Sequence, residues 1–232
     1  MGDVVTLLER PMYDIAEAGR LLAVPPRTLE YWLNGGRQGG KTHLPVLRES
    51  ATGSTDLTWG EFVEARYVRS YRREHNVPLH ALRGFILEMR RALGVSYPLA
   101  HLRPWIGEGQ RLLLAAQIAV DLPEELWSVY EPTSGRTLLT SPAESFLKVV
   151  QFDEDDGVAR RLRPSGELSP VVIDPEVRFG AASVRGISTA ALRELVDAGD
   201  PVGLVAEDYG LGLDDIVAAL DFERQLLAAA AA

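Results

Sequence analysis

The stretch that organises this chain runs from Tyr13 to Gly36 and reads YDIAEAGRLLAVPPRTLEYWLNGG. Asp14 with Glu17 three residues later is the pattern of a helix N-terminus, and apolar residues follow at helical spacing. Pro25 disfavours a helical conformation at the residue before it, whereas Pro26 suits the first position of a new helix. The stretch therefore predicts two short helices joined by a tight turn.

The second of these helices separates a buried face from an exposed one. Leu29, Trp32 and Leu33 recur on one side of it. The side chains left toward solvent are Arg27, Thr28, Glu30 and Tyr31. A helix pair of this shape is typical of the helix-turn-helix, whose second helix enters the DNA major groove, and also of an αα-hairpin that packs only for stability. We predict that Arg27, Thr28 and Tyr31 contact DNA.

After the helix pair, two extended pieces, Leu44–Arg48 and Thr55–Thr58, flank a segment rich in Gly, Ser and Thr. This pattern predicts a β-ribbon beside the helices. Arg37, Lys41 and Arg48 lie in or next to it, where they are placed to contact the DNA backbone. A solvated loop is the alternative for each of them.

A capping box at Thr58–Glu61 predicts a third helix that extends to about Glu74. Arg66, Arg69 and Arg73 share one face of that helix. We expect Arg66 and Arg69 to contact DNA phosphates, with a solvated arginine face as the alternative.

A fourth helix is predicted to begin at Pro78, with an apolar stripe that continues to Leu93. The stripe is either a core-facing surface or the first candidate for a dimer interface. We expect a homodimer because one short recognition helix contacts few bases, and helix-turn-helix proteins usually double the site by two-fold symmetry.

Residues 12–95 resemble the winged helix-turn-helix of MerR-type regulators. The residues that carry the resemblance are Tyr13, Ile15, Val24, Thr28, Leu29 and Tyr31, followed by the ribbon and the capped helix. The chain departs from that family at Gly19, where alanine is usual, at Ala23, where the turn glycine is usual, and at Glu30, where an arginine often meets phosphate. The resemblance implies a DNA-binding domain over residues 1–100.

Composition limits the function classes. With 232 residues and 46% hydrophobic residues the chain can bury a real core, and the absence of cysteine excludes zinc ribbons, Cys nucleophiles and disulfides. No signal peptide or membrane-spanning apolar run is present, so we expect a cytoplasmic protein. Nucleophile elbows, phosphate loops and zinc-protease motifs are also missing, and the four histidines lack metal-ligand spacing. We expect no enzyme activity, no metal and no cofactor.

Charge is distributed unevenly along the chain. Residues 1–100 hold 13 Lys+Arg against 11 Asp+Glu, a balance of +2, whereas residues 166–232 hold 4 against 12, a balance of −8. A mildly basic front and an acidic rear suit a protein whose first domain meets DNA and whose last domain meets protein.

Residues 101–165 are predicted to form a small α+β middle region. Its extended pieces are Arg111–Ala115, Trp127–Tyr130, Thr137–Leu139 and Lys148–Phe152, and Ser141–Glu144 is a second capping box. The acidic run Asp153–Gly157 lacks the glycine and glutamate positions of an EF-hand loop, so it is interpreted as a hairpin turn. Residues 164–170 are a predicted linker.

Residues 166–232 are predicted to form a trihelical domain, with helices over Ser188–Ala198, from Asp200 and from Leu213. Within it, the pattern V-I-D-P-x-V-x-F-G, then R-G, A-G-D-P and A-x-D-Y-G-L, resembles the domain-of-unknown-function family 433, a family of small antitoxin-type domains. The resemblance spans Val172 to Glu223. The chain departs from that family at Ala182, where proline is common, and at Ile187, where threonine often follows Arg-Gly.

The order of these three regions resembles actinobacterial VapB-type antitoxins. The resemblance implies a partner, a VapC-type PIN-domain ribonuclease, which the antitoxin neutralises while its DNA-binding domain represses their shared promoter. Because the active site of a PIN ribonuclease is a cluster of carboxylates, we assign toxin binding to Arg178, Phe179 and Arg185; pairing of these arginines with acids of their own domain is the alternative. Two other classes stay open: a stand-alone MerR-like regulator that senses a small molecule through the middle region, and a protein-binding adaptor.

Overall fold

A computed structural model describes residues 7–75, 78–122, 124, 127–131 and 137–230. The chain divides into two compact units. The first comprises the described residues up to Leu147 together with Phe152–Ala159, and the second comprises Lys148–Gln151 together with the described residues from Arg160 onward. The chain passes between them at the hairpin around residues 150–162, so the middle region predicted over residues 101–165 is shared between the two units.

Helices dominate both units. The front part contains β1 (Pro11–Tyr13), α1 (Ile15–Leu22), α2 (Pro26–Asn34), β2 (Gly36–Gln38), β3 (Lys41–His43), β4 (Leu57–Thr58), α3 (Trp59–His75), α4 (Leu79–Leu93), α5 (Glu108–Ala119), β5 (Val129–Tyr130), β6 (Leu138–Leu139) and α6 (Ser141–Val149). The rear part contains β7 (Val150–Phe152), β8 (Ala159–Leu162), β9 (Val171–Val172), β10 (Ser183–Val184), β11 (Ile187–Ser188), α7 (Thr189–Asp197), α8 (Val202–Tyr209) and α9 (Leu213–Ala230). Short 3₁₀ turns lie at Pro98–Ala100, Arg103–Trp105 and Arg178–Gly180. The prediction of a mainly α protein with small β elements is confirmed.

The predicted helix pair is confirmed in its bounds and in its buried face. The carboxylate of Asp14 accepts a hydrogen bond from the backbone N–H of Glu17 at 2.8 Å and so caps α1. Leu29, Trp32 and Leu33 of α2 are all buried. The apolar spacing within α2 therefore sets which side of the helix faces solvent.

The turn between α1 and α2 closes through a Schellman motif. Ala23 adopts a left-handed conformation with φ 50°, and its N–H donates to the carbonyl of Arg20, while the N–H of Val24 donates to the carbonyl of Gly19 at 2.9 Å. A Cβ at Gly19 would lie 2.7 Å from the carbonyl oxygen of Val24, so only glycine fits there without a shift. Val24 is buried, and α2 begins immediately afterwards at Pro26.

The β-ribbon lies earlier in the sequence than predicted. β2 and β3 pair antiparallel across Gly39 and Gly40, whose φ angles of 58° and 78° suit a two-residue hairpin turn. The predicted strand Leu44–Arg48 is not a strand, and β4 pairs with β1 instead. The prediction of a ribbon from Leu44–Arg48 and Thr55–Thr58 is therefore wrong. The Gly-Gly pair is the stronger hairpin signal, and Arg37 and Lys41 lie on the ribbon that it forms.

The apolar stripe of α4 faces the core of the first unit. Leu82, Ile86 and Met89 are fully buried, together with Phe62 and Tyr67 of α3. Of the two alternatives, a core-facing surface and a dimer interface, the structure therefore shows the first. These buried side chains are not available to a second copy of the chain.

The segment after α4 departs from its prediction at two points: Lys148 and Val149, predicted as extended, belong to α6, and the larger difference lies in α5. Arg111–Ala115 is predicted as extended, but it lies inside α5, so that prediction is wrong. Leu113, Ala116 and Gln117 are buried at helical spacing. This spacing favours a helix over the strand that the short apolar run had indicated. The other predicted pieces do pair: β5 lies antiparallel to β6, with Val129 opposite Leu139.

Buried polar groups hold this β5–β6 hairpin in the first unit. The hydroxyl of Ser128 lies 2.5 Å from that of Tyr67 and 2.8 Å from that of Tyr71. The side-chain oxygen of Gln117 accepts from the N–H of Ser128 at 2.6 Å, and its amide nitrogen donates to the carbonyl of Val129 at 2.9 Å. Because these groups are buried, each one requires its partner.

The second unit packs three helices beside a three-stranded antiparallel sheet in the order β11-β10-β9. Leu192 of α7 and Ile216 and Phe222 of α9 are buried in its core. The buried hydroxyl of Thr189 donates to the carboxylate of Glu223 at 2.5 Å and so joins the start of α7 to α9. The predicted trihelical domain is confirmed. Among the described residues, no helix is both long and apolar enough to cross a membrane.

We predict that Ala23→Gly raises the free energy of unfolding by about 1 kcal/mol, because a residue with a Cβ is strained in the left-handed conformation that Ala23 holds. The midpoint of urea unfolding, followed by circular dichroism, measures this. Ala18→Gly is the matched control: Ala18 is a buried residue inside α1, so glycine there is expected to lower stability by about 1 kcal/mol. A variant Ala23→Gly that is no more stable than the original would contradict the strain argument.

Candidate functional site

The exposed side of α2 opens onto a groove of about 750 Å³ in the first unit, here called the front groove. Residues that line it include Arg27, Thr28, Tyr31, Arg37, Arg72 and Leu79. Arg27 and Thr28 are exposed and Tyr31 is half-buried, so the three predicted base-contacting residues lie on one surface. Arg37 extends this surface from α2 onto the ribbon.

The ribbon is joined to α2 by a sharp bend. The N–H of Gly35 donates to the carbonyl of Tyr31 at 2.8 Å, and Gly35 has a positive φ of 68°. A Cβ at Gly36 would lie 3.4 Å from the ring of Tyr31, and that ring lies 6.0 Å from the ring of His43 on β3. The ring of Tyr31 on α2 therefore lies against the ribbon, so the two elements form one surface.

Three cations of this surface are available to a polyanion. Arg27, Arg37 and Lys41 are exposed, and within the described part of the chain they form no ion pair. Glu30, also exposed, places one negative charge on the same helix. The surface is thus basic overall but not uniformly so, which suits a phosphate backbone contacted at a few points.

Arg48 has a different environment from the other predicted DNA contacts. Its Nε and Nη2 donate to both carboxylate oxygens of Glu61 at 2.6 and 3.1 Å, and only 10% of the Arg48 side chain is exposed. Its Nη1 donates to the hydroxyl of Thr52 and the carbonyl of Ser54, both at 2.8 Å, and Nη2 donates to the carbonyl of Asp56. All of its N–H donors face acceptors within the protein, so Arg48 has no donor left for a DNA phosphate.

Glu61 connects this cluster to two helices. Its carboxylate accepts from the N–H of Thr58 at 2.9 Å, and its own N–H donates to the hydroxyl of Thr58 at 3.2 Å, which confirms the predicted capping box of α3. At the end of α2, the side chain of Asn34 accepts from Arg48 and donates to the carbonyl of Ser54 at 2.9 Å. The cluster therefore ties the end of α2 to the start of α3.

Arginines of α4 hold the loop that follows the ribbon. Arg83 donates to backbone carbonyls of residues 45–49, and Arg90 donates to another carbonyl of the same loop at 2.6 Å. Arg90 also pairs with Glu64 at 3.0 Å; burial raises the pKa of Glu64 to about 7, and Arg90 opposes that rise. Because arginine side chains occupy these carbonyls, the loop does not need a partner strand.

The arginines of α3 differ in exposure. Arg66 and Arg69 are half-buried, both take part in interactions within the chain, and the Nε of Arg69 is buried. Arg72, which was not among the predicted contacts, also takes part in an interaction within the chain, but it is exposed and lines the front groove. The side chain of Arg73 lies outside the described part of the chain. Spacing alone places several arginines on one side of α3, and only the position of α2 shows which of them reaches the groove.

In the second unit, the three residues assigned to toxin binding have unusual backbone conformations. Arg178, Phe179 and Arg185 have φ angles of 51°, 53° and 48°, a region that residues with a Cβ seldom adopt. Phe179 is 82% exposed. The Nε of Arg178 donates to the carbonyl of Gly186 at 3.0 Å, and Arg185 pairs with Asp215 at 3.0 Å. The alternative of pairing within the domain therefore applies to Arg185, whereas the Arg178–Phe179 loop presents an exposed ring.

No group of three or more His, Asp or Glu side chains is placed to hold a metal ion within the residues that the structure describes. The exposed features of the two units are suited to binding: a basic groove in the first, and a strained loop with an exposed aromatic ring in the second.

Known proteins resemble this chain over one domain and over nearly its whole length. Residues 171–222 match the family model described as protein of unknown function (DUF433), in agreement with the predicted span from Val172 to Glu223. The chain is 32% identical over 227 residues to the uncharacterized protein Rv2308 of Mycobacterium tuberculosis, covering 96% of this chain and 94% of that protein. It is 26% identical to the putative antitoxin VapB45 of the same organism, covering 91% and 93%. The crystal structure of Rv2018 from Mycobacterium tuberculosis superposes with a TM-score of 0.70 at 27% identity, covering 90% of this chain and 97% of that chain.

We predict that Arg48→Ala lowers the free energy of unfolding by about 3–5 kcal/mol, because it leaves the carboxylate of Glu61 buried without its cation. Chemical unfolding of the purified variant measures the loss. Arg91→Ala is the control, since the Arg91 side chain is 76% exposed and its pair with Glu88 is expected to contribute less than about 1 kcal/mol. Equal losses in the two variants would show that the Arg48 cluster is not a structural tie.

Proposed function

This chain belongs to the family of the Mycobacterium tuberculosis protein Rv2308, and we propose that it is the antitoxin of a VapBC-type toxin–antitoxin module. One observation carries the proposal: the similarity to the putative antitoxin VapB45 extends over both units and not over the rear domain alone. The match of the rear residues to the DUF433 family model supports the same conclusion.

In this proposal the first unit represses the shared promoter as a MerR-like winged helix-turn-helix. α2 enters the major groove, where Arg27, Thr28 and Tyr31 contact base edges. Arg37 and Lys41 contact phosphates from the ribbon. On α3, Arg72 makes the phosphate contact that was predicted for Arg66 and Arg69. Support comes from the shared surface of α2 and the ribbon and from its unpaired cations.

The second unit binds and neutralises a VapC-type PIN-domain ribonuclease. The Arg178–Phe179 loop is the anchor: Phe179 offers a large exposed ring, and Arg178 places a guanidinium beside it. A cluster of carboxylates in the partner accepts such a guanidinium through charge-assisted hydrogen bonds. The left-handed backbone of both residues is a strained conformation, and such strain is concentrated at functional sites.

The chain acts by binding and catalyses no reaction of its own in this account. It binds the operator as a homodimer, through a surface other than the buried stripe of α4. The test of the whole proposal is to co-express the protein with a PIN-type ribonuclease encoded beside it, to purify the complex by a tag on one partner, and to titrate it onto the promoter DNA. A ribonuclease that neither copurifies nor loses activity in the presence of this chain would rule the antitoxin role out.

We predict that Arg27→Ala weakens binding to promoter DNA by about 1–3 kcal/mol, because Arg27 lies on the exposed side of α2, from which the proposal has it contact a base edge. Fluorescence anisotropy with a labelled promoter duplex and an unrelated duplex measures the affinity and its sequence dependence. Arg103→Ala is the matched control, since Arg103 is an exposed arginine of the same unit that does not line the front groove. The base-contact role is wrong if both variants bind the promoter equally well.

We predict that Phe179→Ala weakens binding to the ribonuclease by at least about 2 kcal/mol. An exposed aromatic ring that becomes buried at the centre of an interface contributes much of the binding free energy. Recovery of ribonuclease activity in a titration measures the loss. Leu168→Ala serves as the control, because Leu168 is 97% exposed and lies in the predicted linker. Undiminished inhibition by Phe179→Ala would remove the loop from the interface.

A further inference from the structure

α9 carries two apolar faces, and only one of them is covered. On the inner face Ile216, Ala219, Phe222 and Leu226 are buried in the second unit. The other face, here called the outer stripe, consists of Leu213, Val217, Leu220 and Leu227. At 100° per residue these four side chains fall on one side of the helix, and Arg224 lies on the same side between Leu220 and Leu227. Leu213 is 58% exposed, Val217 46% and Leu227 51%, so the stripe is an apolar surface without a cover in the described chain.

The outer stripe lies on the second helix of a helix-turn-helix outline, the helix that contacts the ligand in helix-turn-helix proteins. α8 ends at Tyr209 and is capped by Gly210, which has a left-handed φ of 63°, and α9 begins three residues after that glycine, so the two helices form the second helix-turn-helix outline of the chain. A helix that reads DNA presents hydrogen-bond donors to bases and phosphates. The stripe instead presents leucine and valine, and Arg224, the one cation of α9, pairs with Asp221 at 2.7 Å. This helix face is suited to a protein surface.

Exposed acids lie at the end of α8 and at the start of α9, and they are here called the acidic border. Glu207 and Asp208 lie in the last turn of α8, and Asp214 lies in the first turn of α9. All three are exposed, and they form no ion pair with another residue of the described ranges. Contact between two copies through this face would bring like charges together, and a DNA backbone would be repelled in the same way. A basic protein gains from the same charges.

We propose that the outer stripe is a docking surface for a basic partner protein, one that presents an apolar strip bordered by lysine or arginine side chains. The inference rests on the proposed function, in which this partner is the ribonuclease toxin. It adds a second contact to the Arg178–Phe179 loop: the loop contributes an arginine and an aromatic anchor, and the stripe contributes apolar area on a different element. The acidic border steers the partner and fixes its orientation.

The test uses the full chain with the substitutions Leu213→Ser and Val217→Ser combined, and calorimetric titration with the purified neighbouring ribonuclease. The expected result is a Kd raised by about tenfold or more, since the change replaces two of the four apolar side chains of the stripe. Leu168→Ser is the matched control, an even more exposed leucine outside the stripe, and it is expected to change the Kd by less than about twofold. Thermal unfolding of each variant checks that these surface changes leave the fold intact.

A second variant, Glu207→Gln with Asp208→Asn, tests the charged border. It is expected to weaken binding a few-fold at low salt and to reduce the salt dependence of the Kd. If the wild-type chain binds the ribonuclease and the serine variant binds it equally well, the stripe is not the docking surface and the antitoxin role stands. If the wild-type chain does not bind the ribonuclease, both proposals fail.

Two further outcomes name other occupants of the stripe, and each overturns the proposal. Loss of a dimer in sedimentation, with toxin affinity unchanged, would assign the stripe to a second copy of the chain. Loss of promoter affinity alone, measured by anisotropy, would assign it to DNA.

Discussion

The ion pair between Arg48 and Glu61 is the interaction on which the geometry of the first unit depends. Glu61 caps α3 through Thr58 while it holds the guanidinium of Arg48, and Arg48 in turn reaches Asn34 at the end of α2. Both charged groups are nearly excluded from solvent, so neither tolerates the loss of its partner. The front groove is lined by α2 and by Arg72 of α3, and its shape therefore depends on this one pair.

The two units differ in their exposed charge and apolar surface, and each therefore suits a different kind of partner. The first unit places Arg27 and Arg37, which form no ion pair with any described residue, on the same surface as Tyr31, a combination that suits nucleic acid. The second unit exposes Phe179, the outer stripe and acids that have no ion-pair partner among the described residues, which suits a basic protein and opposes DNA. A net charge of −9 for the whole chain hides this division, since residues 166–232 account for −8 of it.

The departures from the MerR-type pattern at Gly19 and Ala23 have a common physical account. The Schellman motif brings the carbonyl of Val24 close to the position of a Cβ at residue 19, so glycine is needed inside the helix. Alanine then occupies the left-handed position that glycine would hold without strain. Both positions lie in the one turn that leads directly from α1 to α2.

The sequence by itself determined the features that residues within a few positions of each other decide. These include the cap at Asp14, the buried face of α2, the capping box at Thr58 and the three rear helices, because each depends on local hydrogen bonds and helical spacing. The tertiary structure decided which distant groups meet. It placed the ribbon across the Gly-Gly turn, directed Arg48 to Glu61, and put Arg72 in the groove. A strand's partner and an arginine's acceptor are chosen by competition among all the groups that folding brings near, and short-range sequence patterns carry no information about that competition.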